Sequence, residues 1–87
     1  LMSTGAHASF HFRDLRPGDV VDAYTGAAPP LTGTHRGRIL TASTGPRAVR
    51  SVASPQETTL RIDCTVCDQE HTITDSPWRL VAAVRQP

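Results

Sequence analysis

The sequence predicts a small all-β domain built around one hydrophobic core. Residues 58–66 carry the clearest signal, because apolar and polar side chains alternate there with the period of two that a half-buried strand requires. Turn-forming glycine and proline residues recur at intervals of about 8–12 residues, which is the spacing of short antiparallel strands. No window shows the apolar stripe of a helix, and 87 residues are too few for a second core.

Turn and loop signals divide the chain into its elements. Residues 15–19 predict a turn, and residues 25–34, with two prolines and two glycines, predict a loop. A tight turn at 44–46 would join strands two and three into a hairpin. Residues 1–9 are predicted to form a flexible N-terminal arm, and residues 10–87 a single small β-barrel domain. The predicted strands are residues 20–24, 37–43, 47–53, 58–66, 71–74 and 78–85.

The predicted core is thin. The chain is 38% hydrophobic and holds only two Phe, one Trp and one Tyr. Small domains with so little apolar surface often gain stability from a metal ion, a partner or a second copy of themselves. A structural metal and a homodimer are therefore both hypotheses for this chain. Alternation along the strands predicts one core that is shared by Leu60, Ile62, Val66, Ile73, Trp78 and Leu80.

Three short motifs carry a resemblance to a known fold. Residues 18–21 read GDVV, residues 33–39 read GTHRGRI, and residues 75–78 read DSPW, directly before the last predicted strand. They are similar to an SH3-like barrel of the KOW/Tudor type, where a Gly-Asp turn begins strand one and a 3₁₀ turn precedes the last strand. The resemblance implies a five- to six-stranded SH3-like barrel. Because the loop at 25–34 is longer than in the compact KOW pattern, it does not imply binding to a ribosome or polymerase.

A metal-site candidate lies at the end of the clearest strand. Cys64 and Cys67 are three positions apart, as in a zinc knuckle, and His71 follows at the start of the returning strand. Two thiolates and an imidazole are typical zinc ligands, and a structural site needs a fourth. The residues available for the fourth position are His35, His11, His7 and Asp68.

Two other interpretations of the cysteines remain open. Strand phase points Cys64 inward, where a free thiol behaves as a small hydrophobic group, and it would place Cys67 in a turn on the opposite face. In that case the two thiols could not share a ligand. The pair could also form a disulfide or a redox pair, which a cytoplasmic environment disfavours.

Charge is segregated along the chain, which predicts a binding surface. Residues 23–56 contain Arg36, Arg38, Arg47 and Arg50 and no acidic residue. If strands two and three pair across the turn at 44–46, Arg38 lies near Arg50 and the four arginines form one face, with His35 at its edge. Such a face suits nucleic-acid phosphates or an acidic protein surface. A solvated face with no ligand is the alternative.

The remaining patterns exclude several classes of function. The sequence holds no nucleophile elbow, phosphate loop or zinc-protease motif, so an enzyme is not predicted. The longest apolar run, residues 80–84, is too short to cross a membrane, and no secretory signal is visible, so a cytoplasmic protein is expected. The leading hypothesis is a non-catalytic binding module that contacts nucleic acid or the transcription machinery through the arginine-rich face. The alternative is a protein–protein adaptor, a small inhibitor or an accessory subunit, with zinc as a structural cofactor.

Overall fold

The computed structural model describes residues 6–26, 32–46 and 56–85, and within these ranges the chain is all β, as predicted. A single 3₁₀ turn, Phe12–Asp14, follows the first strand. None of the described segments forms a helix with the length and apolarity that a membrane crossing needs. The six strands are β1 (Ala6–His11), β2 (Val20–Gly26), β3 (Gly33–Pro46), β4 (Gln56–Cys64), β5 (Gln69–Asp75) and β6 (Leu80–Arg85).

The strands form one antiparallel sheet in the order β1-β6-β2-β3-β4-β5. In the described residues β1 and β5 are the two edges of this sheet and do not pair, so the sheet is not closed into a barrel. Strand β1 pairs with β6 and includes residues 6–9, which the sequence analysis placed in a flexible arm. Residues 6–9 are small or polar and show no apolar alternation, so no local pattern marks them as a strand. They become a strand only by pairing with β6, which lies at the other end of the chain.

The core lies on the inner face of the sheet. Leu60, Ile62 and Ile73 are fully buried there, which confirms the inward phase predicted for β4 and β5. The 3₁₀ turn adds Phe12, whose ring packs against Tyr24 with centroids 5.5 Å apart. The other buried apolar residues are Leu15, Val21, Ile39, Cys64, Val81 and Ala83.

Three residues predicted for the core are exposed instead. Val66, Trp78 and Leu80 are 56%, 59% and 58% exposed. Strand β4 ends at Cys64, so Val66 lies in the following turn, and β6 turns Val81 inward, which places Leu80 on the outer face. The Trp78 ring lies on the surface under the guanidinium of Arg13, at 4.0 Å, and edge-on to His11.

The predicted tight turn at residues 44–46 is wrong. These residues continue β3 and pair with residues 56–58 of β4, where the hydroxyls of Thr44 and Thr58 lie 2.7 Å apart. Long-range pairing with β4 thus outweighs the local turn preference of Gly45 and Pro46, and Pro46, which has no N–H to donate, lies at the end of the ladder. Arg38 consequently lies opposite Asp63, and the predicted pairing of Arg38 with Arg50 involves a residue outside the described part of the chain. The third predicted strand, 47–53, lies outside the described residues.

The Gly18-Asp19 turn ties β2 to two other strands. The buried Asp19 carboxylate accepts hydrogen bonds from Arg85 Nε (3.0 Å), Arg85 Nη2 (2.8 Å) and the Arg16 N–H (2.9 Å). The Asp19 carbonyl accepts from the Ile39 N–H, and the Gly18 N–H donates to the Ile39 carbonyl. Burial alone would raise the pKa of Asp19, but the hydrogen bonds from Arg85 and Arg16 outweigh it and hold the pKa below its usual 3.8.

We expect Asp19→Asn to lower the free energy of unfolding by about 1.5–3 kcal/mol near neutral pH, because it removes charged hydrogen bonds from a buried position. A pKa lowered on folding stabilises the protein above about pH 4, and this contribution is lost as the pH falls through the folded-state pKa. Denaturant unfolding at several pH values should therefore show the difference between wild type and variant shrinking in acid.

The matched control is Glu70→Gln, which removes an ion pair to Arg61 in which both side chains are half exposed. That change should lower the free energy of unfolding by only about 0–1 kcal/mol. A difference for Asp19→Asn that stays constant through acidification would contradict the assigned role of its carboxylate.

Candidate metal centre

The turn between β4 and β5 brings two cysteines together. Cys64 is the last residue of β4, and Cys67 follows in the turn that leads to Gln69 at the start of β5. Asp68 closes this turn with φ of 58°, a left-handed conformation that aspartate tolerates better than most residues. As a result Cys67 folds back toward the inner face, where its N–H donates to Cys64 Sγ at 3.4 Å.

Gly37 allows β3 to approach this turn closely. It lies opposite Cys64 with φ of 154°, and a Cβ built at this position would lie 1.9 Å from the carbonyl oxygen of Asp63. The Arg36 carbonyl then accepts a hydrogen bond from the Thr65 N–H at 2.9 Å, which fastens the turn to β3. No residue with a side chain fits at Gly37 without moving a strand.

His35 reaches the cysteines from this part of β3. It is buried on the inner face, two residues before Gly37. Its Nδ1 atom lies 3.6 Å from Cys64 Sγ and 3.4 Å from Cys67 Sγ. One imidazole nitrogen is therefore in contact with both thiols.

His71 completes the cluster from β5. It pairs with Ile62 and so shares the inner face with Cys64 and His35. Its ring lies edge-on to that of His35, with centroids 4.8 Å apart and an angle of 73° between the planes. The Nε2 atoms of both histidines are buried without a hydrogen-bond partner in the structure. Buried polar atoms rarely lack a partner, so the Nε2 atom of His71 is a candidate ligand atom. His35 instead turns its other nitrogen, Nδ1, toward the sulfurs.

The four residues lie close enough together to hold a metal ion. Their candidate ligand atoms are all within 4.8 Å of one another. In a tetrahedral site with Zn–S bonds of about 2.3 Å and Zn–N bonds of about 2.0–2.1 Å, a sulfur and a nitrogen lie about 3.5 Å apart. The observed distances from His35 Nδ1 to the two sulfur atoms, 3.4 and 3.6 Å, match this sulfur–nitrogen separation.

The thiols differ in their affinity for protons. Burial alone would raise the pKa of Cys64, but hydrogen bonds from the Cys67 N–H and from His35 lower it to about 6. The hydrogen bond with Cys64, burial and the negative charge of Cys64 raise the pKa of Cys67. The cluster thus favours a thiolate at Cys64 at neutral pH, and the thiolate is the form that ligates metals.

The sequence predicted three members of this cluster, and the fourth was one of several candidates. Cys64, Cys67 and His71 meet as the zinc interpretation requires, and of the candidates for the fourth position His35 joins them. His11 lies beside Trp78, Asp68 is exposed in the turn, and the side chain of His7 is outside the described part. The interpretation that placed Cys67 on the opposite face is wrong, because the turn folds the chain back.

The described arginines of the predicted basic face lie on the other side of the sheet. Arg36 and Arg38 are exposed on the outer face of β3, whereas His35 on the same strand points inward. They line a groove of about 430 Å³ together with Asp22 and Asp63. Arg47 and Arg50 lie outside the described residues, so the structure does not place them on this face.

Comparisons of the chain with protein-family models, with curated proteins and with solved structures found no match. A metal ion at this cluster is therefore supported by the geometry and donor chemistry of the four residues alone.

We expect Gly37→Ala to destabilise the protein by about 2 kcal/mol or more, because the methyl group meets the β4 backbone in a strained conformation. Gly45→Ala is the matched control, since a Cβ there meets nothing within 4 Å. That control should stay within about 0.5 kcal/mol of wild type in denaturant unfolding. Equal stability of the two variants would show that β3 and β4 are not held in close approach.

Proposed function

We propose that this chain is a small, non-catalytic binding module whose sheet is held at one end by a structural zinc ion. The supporting observation is the contact of His35 Nδ1 with both cysteine sulfurs, beside the imidazole of His71, whose Nε2 atom has no partner. Two sulfur and two nitrogen donors form a ligand set typical of zinc, which is bound in tetrahedral geometry.

Four protein ligands favour a structural role over a catalytic one. A catalytic zinc ion keeps one position for water or substrate, whereas a structural ion is closed by protein donors. Here Cys64 and His35 are buried, and Cys67 and His71 are half-buried at the rim. Zinc at this point would cross-link β3, the β4–β5 turn and β5, where the apolar core ends.

We expect protein purified without chelator to carry one zinc ion per chain in native mass spectrometry and elemental analysis. Removing the ion with a chelator should lower the melting temperature, because metal binding contributes to folding. Cys67→Ser and His71→Asn should lose both the ion and the effect of the chelator. Cobalt substitution should give the visible absorption of a tetrahedral thiolate complex in the wild type alone among these three.

His11→Asn is the matched control, because His11 is a half-exposed histidine beside Trp78, outside the cluster. It should bind zinc as the wild type does. Wild-type protein that takes up neither zinc nor cobalt would replace this proposal with two inert thiols in contact with a histidine.

We extend the proposal to an SH3-like fold, the finer class that the motifs imply. Two local features support it. The Gly18-Asp19 turn opens β2, and the Arg79 N–H donates to the Ser76 carbonyl at 3.0 Å in the short turn before β6. Strand β6 also pairs with β2, which brings the last strand of the predicted body beside its first.

For the groove on the outer face we propose a protein partner. The sequence hypothesis of nucleic-acid binding through Arg36, Arg38, Arg47 and Arg50 assumed a face without carboxylates. Among the described residues, Asp22 and Asp63 line the same groove as Arg36 and Arg38, and Asp63 is the cross-strand neighbour of Arg38. Carboxylates repel phosphates, whereas a protein surface can satisfy both signs of charge.

We expect no measurable binding of the wild-type chain to duplex DNA or RNA at about 50 mM salt, where phosphate contacts are strongest. Fluorescence anisotropy with labelled duplexes makes the measurement, and the Arg36→Ala/Arg38→Ala variant is the comparison. Binding whose slope of log affinity against log salt falls by roughly 0.9 for each arginine removed would restore nucleic acid as the partner.

A further inference from the structure

The groove on the outer face crosses four strands. Its apolar lining comes from β6, β2 and β3, through Val84, Val20 and Leu40, all of which are half-buried. Val20 lies directly between Val84 and Arg38 in the sheet register, so these side chains share one face. The groove thus combines an apolar floor with charged walls, as a protein interface does.

The groove is lined by side chains of both charge signs. Arg36 and Arg38 supply two positive charges, and Asp22 and Asp63 supply two negative charges. Although Arg38 and Asp63 are direct cross-strand neighbours, no ion pair joins them among the described residues, whereas Arg61 and Glu70 farther along the same face do pair. The side chains of Arg38 and Asp63 are therefore available to pair with an external partner.

A surface of this kind is complementary to itself. In a two-fold symmetric dimer the same patch meets its own copy, so each cation needs an anion within the same patch. A uniformly basic patch would repel its copy, and this groove is not uniformly basic among its described members. Its apolar floor would also be removed from water, which compensates for a thin core in a small domain.

We propose that the occupant of this groove is a second copy of the chain, related by a two-fold axis. The proposal rests on the proposed function as a protein-binding module and names its partner. Arg38 of one copy faces Asp63 of the other, and the apolar residues Val20, Leu40 and Val84 pack against their own copies.

Two charge variants test this arrangement without assuming which residues pair. Arg36→Glu/Arg38→Glu makes the groove entirely acidic, and Asp22→Arg/Asp63→Arg makes it entirely basic. Each variant alone should be monomeric in sedimentation equilibrium, because like charges would face each other across the axis. An equimolar mixture should form a heterodimer, since opposite charges then meet. Mixing cannot relieve repulsion inside one chain, so recovery of the dimer identifies an intermolecular contact.

The matched control is Arg61→Glu/Glu70→Arg, which exchanges an ion pair on the same face outside the groove and should leave the dimer intact. Far-UV circular dichroism checks the fold of each variant. If either double variant fails to fold, Arg38→Gln and Asp63→Asn replace them, and each should raise the dimer dissociation constant by about tenfold or more.

Wild-type protein that stays monomeric up to about 0.1 mM, a weak limit for a specific dimer, would overturn the proposal. So would a dimer that both charge variants retain, because its interface must then lie elsewhere. Zinc content measured on the same samples separates this proposal from the previous one. A zinc-loaded monomer contradicts the dimer alone, and a zinc-free dimer contradicts the metal centre alone.

Discussion

The close approach of β3 to β4 at Gly37 is the constraint on which both candidate sites depend. Opposite Cys64, the two backbones come so near that a Cβ would overlap the Asp63 carbonyl. On the inner face this approach delivers His35 to the two thiols. On the outer face the same register sets Arg38 beside Asp63. A wider spacing would separate the imidazole from the sulfurs and would open the groove.

The candidate metal centre lies where the apolar packing of the core ends. Along β4 the inward row passes from Leu60 through Ile62 to Cys64, and the next position lies in the turn. Polar ligands buried at the end of a core cost free energy unless they find a partner. Binding of zinc to these ligands would turn that cost into a cross-link between three strands. In a chain with four aromatic side chains, such a cross-link is worth more than it would be in a larger domain.

Local patterns predicted those parts of the fold that depend on neighbours in the chain. The period-two alternation of residues 58–66 identified β4 and its inward face, and the Cys-x₂-Cys-x₃-His spacing identified three members of the cluster. His35 could be named only as one of several candidates, since its place depends on β3–β4 pairing, which no local pattern encodes. Val66 was misplaced because one residue decides where a strand ends, and the turn at 44–46 because long-range pairing overrode the local preference of Gly45 and Pro46.

Alternation along β3 distributes the two sites to opposite faces of one short segment. His35 points inward to the thiols, Arg36 points outward to the groove, and the Arg36 carbonyl holds Thr65 of the cysteine turn. Because Thr65 also lines the groove, the cysteine turn belongs both to the groove and to the candidate metal centre. The same segment of β3 and the same turn thus set the geometry of both the candidate metal centre and the groove.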